Sequence, residues 1–324
     1  MCVLAYVHTF NDADVIDRTI EAIRRQTRPP ESILLVDNAS TDGTLNRAFP
    51  AGIDIIRNET NLGSCGAIGV GFTHALKHGF EWMWLLDADS VPESDALATL
   101  LELYAGWTGA QQEETAFLAC LPIEQSTGKP VHGLRFTSRG RFVVTPSPDE
   151  LCYPCHMTIW SGGLYRMAAV RQVGVPNPAY FVDRGELEYM YRVMKAGYKA
   201  FIHQDAIIRH NIRGEQSLTP NRLKVGPITL TFYDAAPFRC YLTCRNTLYF
   251  TLYDLKDGRL AKVRELFRLG RRPGRGLMSG VAWQAALFTV NFALRPRTHG
   301  AHVRACLRGI WHGVTGNIAA RYED

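Results

Sequence analysis

The 324-residue chain has no internal repeat and no low-complexity segment, which excludes solenoid and fibrous architectures. No secretory signal precedes its first strand pattern, Cys2-Val3-Leu4-Ala5-Tyr6-Val7, so a reducing cytosol with free thiols is the expected setting. Eight cysteines are scattered along the chain, with a single Cys-x-x-Cys, Cys152-Tyr153-Pro154-Cys155. Without a second such pair, buried or surface thiols are a better reading than structural zinc, although His156 follows directly. The composition is otherwise that of a soluble globular protein, long enough for one large domain or two modest ones with a real core.

Acidic residues are scarce at one end. Residues 256–324 hold thirteen Lys/Arg and four Asp/Glu, a net +9. The whole chain is +5, so residues 1–255 carry −4. Basic charge gathered this way points to a polyanion, either nucleic acid or an anionic membrane surface. No Lys/Arg–aromatic module of a known nucleic-acid type is present, so no nucleic-acid partner is expected. Residues 276–294 are uncharged and approach bilayer-spanning length. Gly280, Gln284, Thr289 and Asn291 weaken a span, and arginine clusters on both sides suit a helix lying in the interface or buried in a core.

What is present is an alternation of strands and helices. Strand patterns cover residues 3–7, 32–36, 54–57 and 82–87, with helical patterns over 11–26, 61–78 and 94–104. The loop Asp37-Asn38-Ala39-Ser40-Thr41-Asp42-Gly43-Thr44 is rich in side-chain acceptors and is expected to lead into a helix N-terminus. A strand at 116–121, a hairpin over 134–144, a helix at 186–196, a strand at 199–202 and an aromatic helix at 241–253 follow. This order predicts an α/β protein with a mostly parallel sheet covered on both faces. Ligands bind at the carboxyl ends of such strands, where Asp37 and Asp87 lie.

The strand Trp82-Met83-Trp84-Leu85-Leu86 ends in Asp87-Ala88-Asp89-Ser90. Alternation along the strand lets Asp87 and Asp89 project the same way, and two carboxylates that close repel unless a cation lies between them. Mg²⁺ or Mn²⁺ is the economical occupant. The alternative is a solvated turn, because Asp-x-Asp-Ser is also turn chemistry.

Taken in order, several motifs resemble family 2 glycosyltransferases of the GT-A fold, over roughly residues 3–210. Thr9-Phe10-Asn11 with Gln26-Thr27 and Pro30 resembles the opening strand and helix of that family. Residues 36–44 resemble its nucleotide-binding loop, Asn61-Leu62-Gly63 with Gly66 and Gly69 its next helix start, and Asp87-Ala88-Asp89 its metal-binding Asp-x-Asp. Phe181-Val182-Asp183-Arg184-Gly185-Glu186-Leu187-Glu188-Tyr189, then Arg192 and Gly197-Tyr198, resembles the acidic motif of bacterial galactofuranosyl- and rhamnosyltransferases of cell-envelope polysaccharide synthesis.

The resemblance implies a GT-A (Rossmann-like) catalytic domain over 1–215 and a helical, basic region over 216–324 associated with membrane or acceptor. It implies Glu186 as the base and Glu188 as its neighbour, with Glu standing where many relatives have Asp. His210 matches the histidine that completes the metal site with Asp87 and Asp89 in the galactofuranosyl group. Donor contacts are expected from Thr9, Asn11, Asp37, Asn38, Asn61, Gly63, Gly66, Asp87, Ala88 and Asp89, and acceptor contacts from Trp160, Ser161, Gly162, Glu186 and Glu188. Three alternatives stand beside these roles: a solvated helix start for Glu186 and Glu188, a satisfied buried histidine for His210, and a core tryptophan for Trp160.

The implied reaction is inverting, Mn²⁺- or Mg²⁺-dependent transfer from a UDP- or dTDP-linked sugar to a polyprenyl-diphosphate-linked glycan. The implied setting is cytoplasmic, peripheral on the inner face of the plasma membrane, with a homo-oligomer left open. A soluble or protein acceptor and a catalytically silent nucleotide-sugar-binding scaffold are the competing readings.

Overall fold

A computed structural model of the chain describes residues 1–137, 140–210, 219–225, 228–234, 236–254 and 300–322. They fall into two compact units. The first comprises Met1–Arg135, Val143–Phe181 and Gly185–Asn211; the second comprises Phe136–Phe142, Val182–Arg184 and Ile212–Asp324. The expected boundary after residue 215 and the uncharged stretch 276–294 lie outside the described residues.

The first unit is built on a nine-stranded sheet. Its strands are β1 (Val3–Thr9), β2 (Ser32–Asp37), β3 (Ile53–Arg57), β4 (Trp82–Asp87), β5 (Ser90–Pro92), β6 (Thr115–Glu124), β9 (Cys152–Cys155), β10 (Gly163–Arg166) and β11 (Lys199–His210). A separate two-stranded pair joins β7 (Leu134–Thr137) to β8 (Gly140–Val143). The sheet order is β3-β2-β1-β4-β10-β6-β11-β5, with β9 also paired to β11. The strands β3, β2, β1, β4, β6 and β11 run one way; β10, β5 and β9 run the other.

The near-continuous apolar runs of β1, β2 and β4 follow from burial on both faces. Alternate side chains feed two cores. Leu4, Tyr6, Leu34, Val36, Met83 and Leu85 pack with Ile68, Phe72 and Ala75 of α2 (Gly63–Lys77). Val3, Ala5, Val7, Leu35, Trp84 and Leu86 pack with Ile16, Ile20 and Ile23 of α1 (Ile16–Arg24) and with Leu97 and Leu100 of α3 (Ala96–Ala105). The helices α4 (Gly109–Glu114), α5 (Met167–Val173) and α6 (Gly185–Lys195) complete this unit.

Two sequence expectations fail locally. The helix expected over residues 11–26 begins only at Ile16, because Asn11 takes φ 58° and its neighbours form a turn fixed by side chains. No helix follows the 37–44 loop; residues 42–47 are bends and turns. There the Asp42 carboxylate accepts from the Thr44 N–H (2.9 Å), the Thr44 hydroxyl (2.5 Å) and the Ala13 N–H (3.0 Å), an Asx-type arrangement that competes with helix.

The second unit contains the hairpin β12 (Thr219–Val225) with β13 (Ile228–Asp234), and the helices α7 (Pro237–Leu252) and α8 (Gly300–Thr315). The two helices approach at glycines: a Cβ on Gly309 would lie 2.3 Å from the Tyr241 carbonyl oxygen, and one on Gly313 would lie 2.7 Å from that of Arg245. The buried Arg245 donates to Asn246 Oδ1 (2.9 Å) and to the Ala320 carbonyl, and lies over the Tyr241 ring at 5.4 Å. Among the described residues no helix is long and apolar enough to cross a membrane.

Candidate active site

Asp87 closes β4, and Ser90 opens β5 two residues after Ala88. Because β5 pairs antiparallel with the carboxyl end of β11, His210 falls directly opposite Ser90. The Ser90 hydroxyl lies 2.7 Å from His210 Nδ1, and Asp89 Oδ1 lies 3.7 Å from the same nitrogen. One ligand atom from each of Asp87, Asp89 and His210 falls within 4.8 Å of the others, all half-buried. Main-chain contacts hold the turn: the Asp87 N–H donates to Ser161 Oγ (2.9 Å), and the Thr19 hydroxyl donates to the Ala88 carbonyl (2.7 Å). Two carboxylates and an imidazole form a donor set suited to Mn²⁺ or Mg²⁺.

His8 was not anticipated from sequence. It sits opposite Asp87 in the β1–β4 pairing, with Nε2 3.5 Å from Asp87 Oδ1. Its position at the carboxyl end of β1, one residue before Thr9, was the available signal. Burial drives the Tyr6 hydroxyl well above its ordinary pKa, with the Asp87 charge adding to the rise.

At the ends of β1 and β2, Thr9 stands beside Asp37 in register. The fully buried Asp37 accepts the Ser40 N–H (3.2 Å), with Arg57 Nε 3.6 Å away. The Thr9 hydroxyl donates to Asp12 (3.0 Å), and Asn11 Oδ1 accepts the Thr41 N–H (2.8 Å). The Asn38 amide is saturated: it donates to Asn61 Oδ1 (3.0 Å) and the Gly63 carbonyl (3.1 Å), and accepts from the Leu62 N–H and Asn58 Nδ2 (both 3.0 Å). Asn38 and Asn61 thus shape the loop with their side chains.

Gly63 and Gly66, expected as donor contacts, lie in the first turn of α2, where the Phe181 carbonyl accepts the Cys65 N–H at 3.0 Å. A Cβ on Gly63 (φ +68°) would lie 2.3 Å from this oxygen, one on Gly66 2.6 Å from Leu62 Cβ, and one on Gly185 2.0 Å from Cys65 Sγ. Gly63 and Gly185 let the ends of the segment leading to Glu186, Phe181 and Gly185, seat against α2. That segment is strained: Phe181, Asp183 and Arg184 all have positive φ. Among the described residues the only other non-glycine cases are Asn11 and Ala39, in the loops that follow β1 and β2. Within the second unit, Asn246 Nδ2 donates to the carbonyls of Val182 (3.0 Å) and Asp183 (2.7 Å), Arg184 Nε donates to Thr247 Oγ1 (3.1 Å), and Arg239 pairs with Asp183.

Glu186 is half-buried in the first turn of α6. Burial, then Tyr189, Glu186 and Asp87, drive the Tyr165 hydroxyl well above its ordinary value, so both carboxylates act on one buried ring. Glu188 points elsewhere. Its carboxylate is buried and taken by Arg192, through Nε at 2.5 Å and Nη2 at 3.0 Å, while Arg192 also donates to the Val173 and Val175 carbonyls. Its geometry is that of a clamp from α6 to the end of α5. Trp160 is 5% exposed and packs on Tyr165 and Tyr189, its indole N–H buried without a protein partner among the described residues. Ser161 is spent on Asp87, and Gly162 (φ +82°) leaves room for Ile208 and Cys120.

Comparison with known proteins fits this arrangement. Residues 5–173, more than half of the chain, match the Glycosyl transferase family 2 profile. The chain belongs to glycosyl transferase family 2. It is 29% identical over 216 residues to galactofuranosyltransferase GlfT1 of Mycobacterium tuberculosis (strain ATCC 25618 / H37Rv), covering 64% of this chain and 69% of that one. It is 30% identical over 107 residues to an undecaprenyl-phosphate mannosyltransferase of Micrococcus luteus, covering 32% of this chain and 44% of the relative. In structure it resembles GalNAc-T7 with UDP, GalNAc and Mn²⁺, with a TM-score of 0.55 at 15% identity over 83% of this chain and 54% of that one. The fold of this family 2 glycosyltransferase is GT-A, a central sheet flanked by helices, with a helical C-terminal region.

Proposed function

We propose that this glycosyltransferase moves a sugar, galactofuranose favoured over rhamnose, from a nucleotide donor to a hydroxyl of a polyprenyl-diphosphate-linked glycan, with inversion. The observation that carries the reading is the convergence of Asp87, Asp89 and His210, residues that the β5–β11 pairing brings within 4.8 Å. The GlfT1 relatives favour galactofuranose, and the undecaprenyl-phosphate relative favours a lipid-linked acceptor.

Asp87, Asp89 and His210 would hold a divalent ion, Mn²⁺ or Mg²⁺, which neutralises charge on a departing nucleoside diphosphate. Asp37, Thr9 and Asn11 lie at the carboxyl ends of β1 and β2, where a nucleoside binds. Asp37 is fixed there to accept hydrogen bonds from base or ribose. Glu186 takes the proton of the acceptor hydroxyl as that oxygen attacks the anomeric carbon. One base, with no protein nucleophile beside it among the described residues, gives a single displacement. Trp160 and Gly162 line the acceptor side, with Ser161 acting through Asp87. Residues 1–215 form the catalytic domain, and residues 216–324 keep the enzyme on the cytoplasmic membrane face.

A donor screen tests this. Thermal stabilisation and slow diphosphate release are followed with Mn²⁺ or Mg²⁺ and a panel of nucleotide sugars. Metal-dependent stabilisation by one donor, with release lost in Glu186→Gln, is expected. Equal release by Glu186→Gln and wild type refutes the assignment of the base.

A further inference from the structure

The helix α8 has its sides inverted. A helix in a globular protein buries its large apolar residues and exposes small or polar ones. The buried side of α8 is made of Ala305, Cys306, Gly309 and Gly313. Ile310 packs inward, but three large apolar residues point outward: Leu307 is 52% exposed, Trp311 66% and Val314 38%. At spacings of four and three residues they form one stripe. Arg304, exposed, and Arg308, half-buried, lie on the same side, and residues 300–315 contain no Asp or Glu.

We infer that this side of α8 is a membrane-docking surface for an anionic lipid bilayer, with Leu307, Trp311 and Val314 entering the headgroup–acyl boundary and Arg304 and Arg308 pairing with lipid phosphates. This names the residues of the membrane contact in the proposed function and rests on that reading only for the lipid-linked acceptor. The chemistry fits each layer of an interface. Tryptophan favours the headgroup level, leucine and valine the acyl edge, and arginines at the flank meet phosphate. A second copy of the chain is a poorer occupant. Pairing α8 with itself would oppose two arginines to two arginines with no acid on either helix. Small residues on the inner side let α8 lie close on α7, leaving its apolar bulk uncovered among the described residues.

The test is co-sedimentation of the full-length chain with phosphatidylglycerol/phosphatidylcholine vesicles and with pure phosphatidylcholine vesicles. Wild type is expected to partition onto the anionic vesicles. Leu307→Ser/Trp311→Ser is expected to lower that partitioning by about tenfold or more, since two large apolar side chains no longer leave water. Trp311→Phe retains most binding, and Arg304→Gln/Arg308→Gln loses the preference for anionic lipid. Donor-induced thermal stabilisation stays at the wild-type level in all three, which separates this surface from the transferase site. Undiminished vesicle binding by Leu307→Ser/Trp311→Ser overturns the inference while leaving the catalytic reading intact. It is equally overturned if wild type binds no vesicles but self-associates through a surface that the double substitution abolishes.

Discussion

Gly185→Ala probes how Glu186 is held. The added Cβ would sit 2.0 Å from Cys65 Sγ, whereas carbon contacts in packed interiors lie at about 3.5–4.0 Å. Something must therefore move by more than about 1 Å, and overpacking of this kind costs about 1–3 kcal/mol. Cys65 is 1% exposed in the first turn of α2, so its sulfur has little room to retreat, and its N–H holds the Phe181 carbonyl. The clash is with a side chain, which makes it removable. Cys65→Ala alone should cost about 1 kcal/mol from lost burial. The double variant Cys65→Ala/Gly185→Ala should then cost about the same as Cys65→Ala, a coupling of about 1–3 kcal/mol. Gly63→Ala offers the contrast. Its Cβ would meet the Phe181 carbonyl oxygen at 2.3 Å from a φ of +68°, and no change at Cys65 should rescue it. Urea unfolding midpoints give the energies, and diphosphate release reports whether Glu186 has shifted. A Gly185→Ala protein with the wild-type midpoint, or additive costs in the double variant, would refute the packing argument.

Asn246→Ala leaves the Val182 and Asp183 carbonyls without their donor and should cost about 1–3 kcal/mol in urea unfolding, with a fall in kcat. Burial alone would raise the Asp42 carboxyl, but its hydrogen bonds with Thr44 and Ala13 outweigh it and hold the group below the ordinary carboxylate range. A lowered folded-state value stabilises above the unfolded value of about 3.9 and is lost as pH falls through the folded one. Asp42→Asn should therefore lower Tm at pH 7, and the gap to wild type should narrow below about pH 4. Burial pushes the Cys120 and Cys155 thiols up to about 12, so at pH 8 a maleimide should label the half-buried Cys2 well before either, as peptide mapping would show.

The sheet was legible because β1, β2 and β4 are short apolar runs ending in acceptor-rich turns, a pattern with few other solutions. Asp37 and Asp87 could be placed at strand ends on that basis alone. His210 could not: its position depends on a three-residue strand pairing with β11 across 120 residues of chain, and only the resemblance to galactofuranosyltransferases pointed to it. The helix expected after Asp42 failed because side-chain acceptors competed successfully for the backbone. Gly63 resembled a family helix start, but the close approach it permits is to Phe181, more than a hundred residues away, which no local pattern shows. Glu188 looked like a partner of Glu186, yet on a helix residues two apart do not share a face, and the i+4 arginine captured it. His8 carried no motif and emerged only from the β1–β4 register.

The most direct test of the account is the rate of UDP release from UDP-galactofuranose in the presence of Mn²⁺ and a polyprenyl-diphosphate-linked glycan, for wild type and Glu186→Gln. The account predicts acceptor- and metal-dependent release by wild type that falls by about 10²-fold or more in the variant. Release unaffected by chelation, or equal in the two proteins, would contradict it.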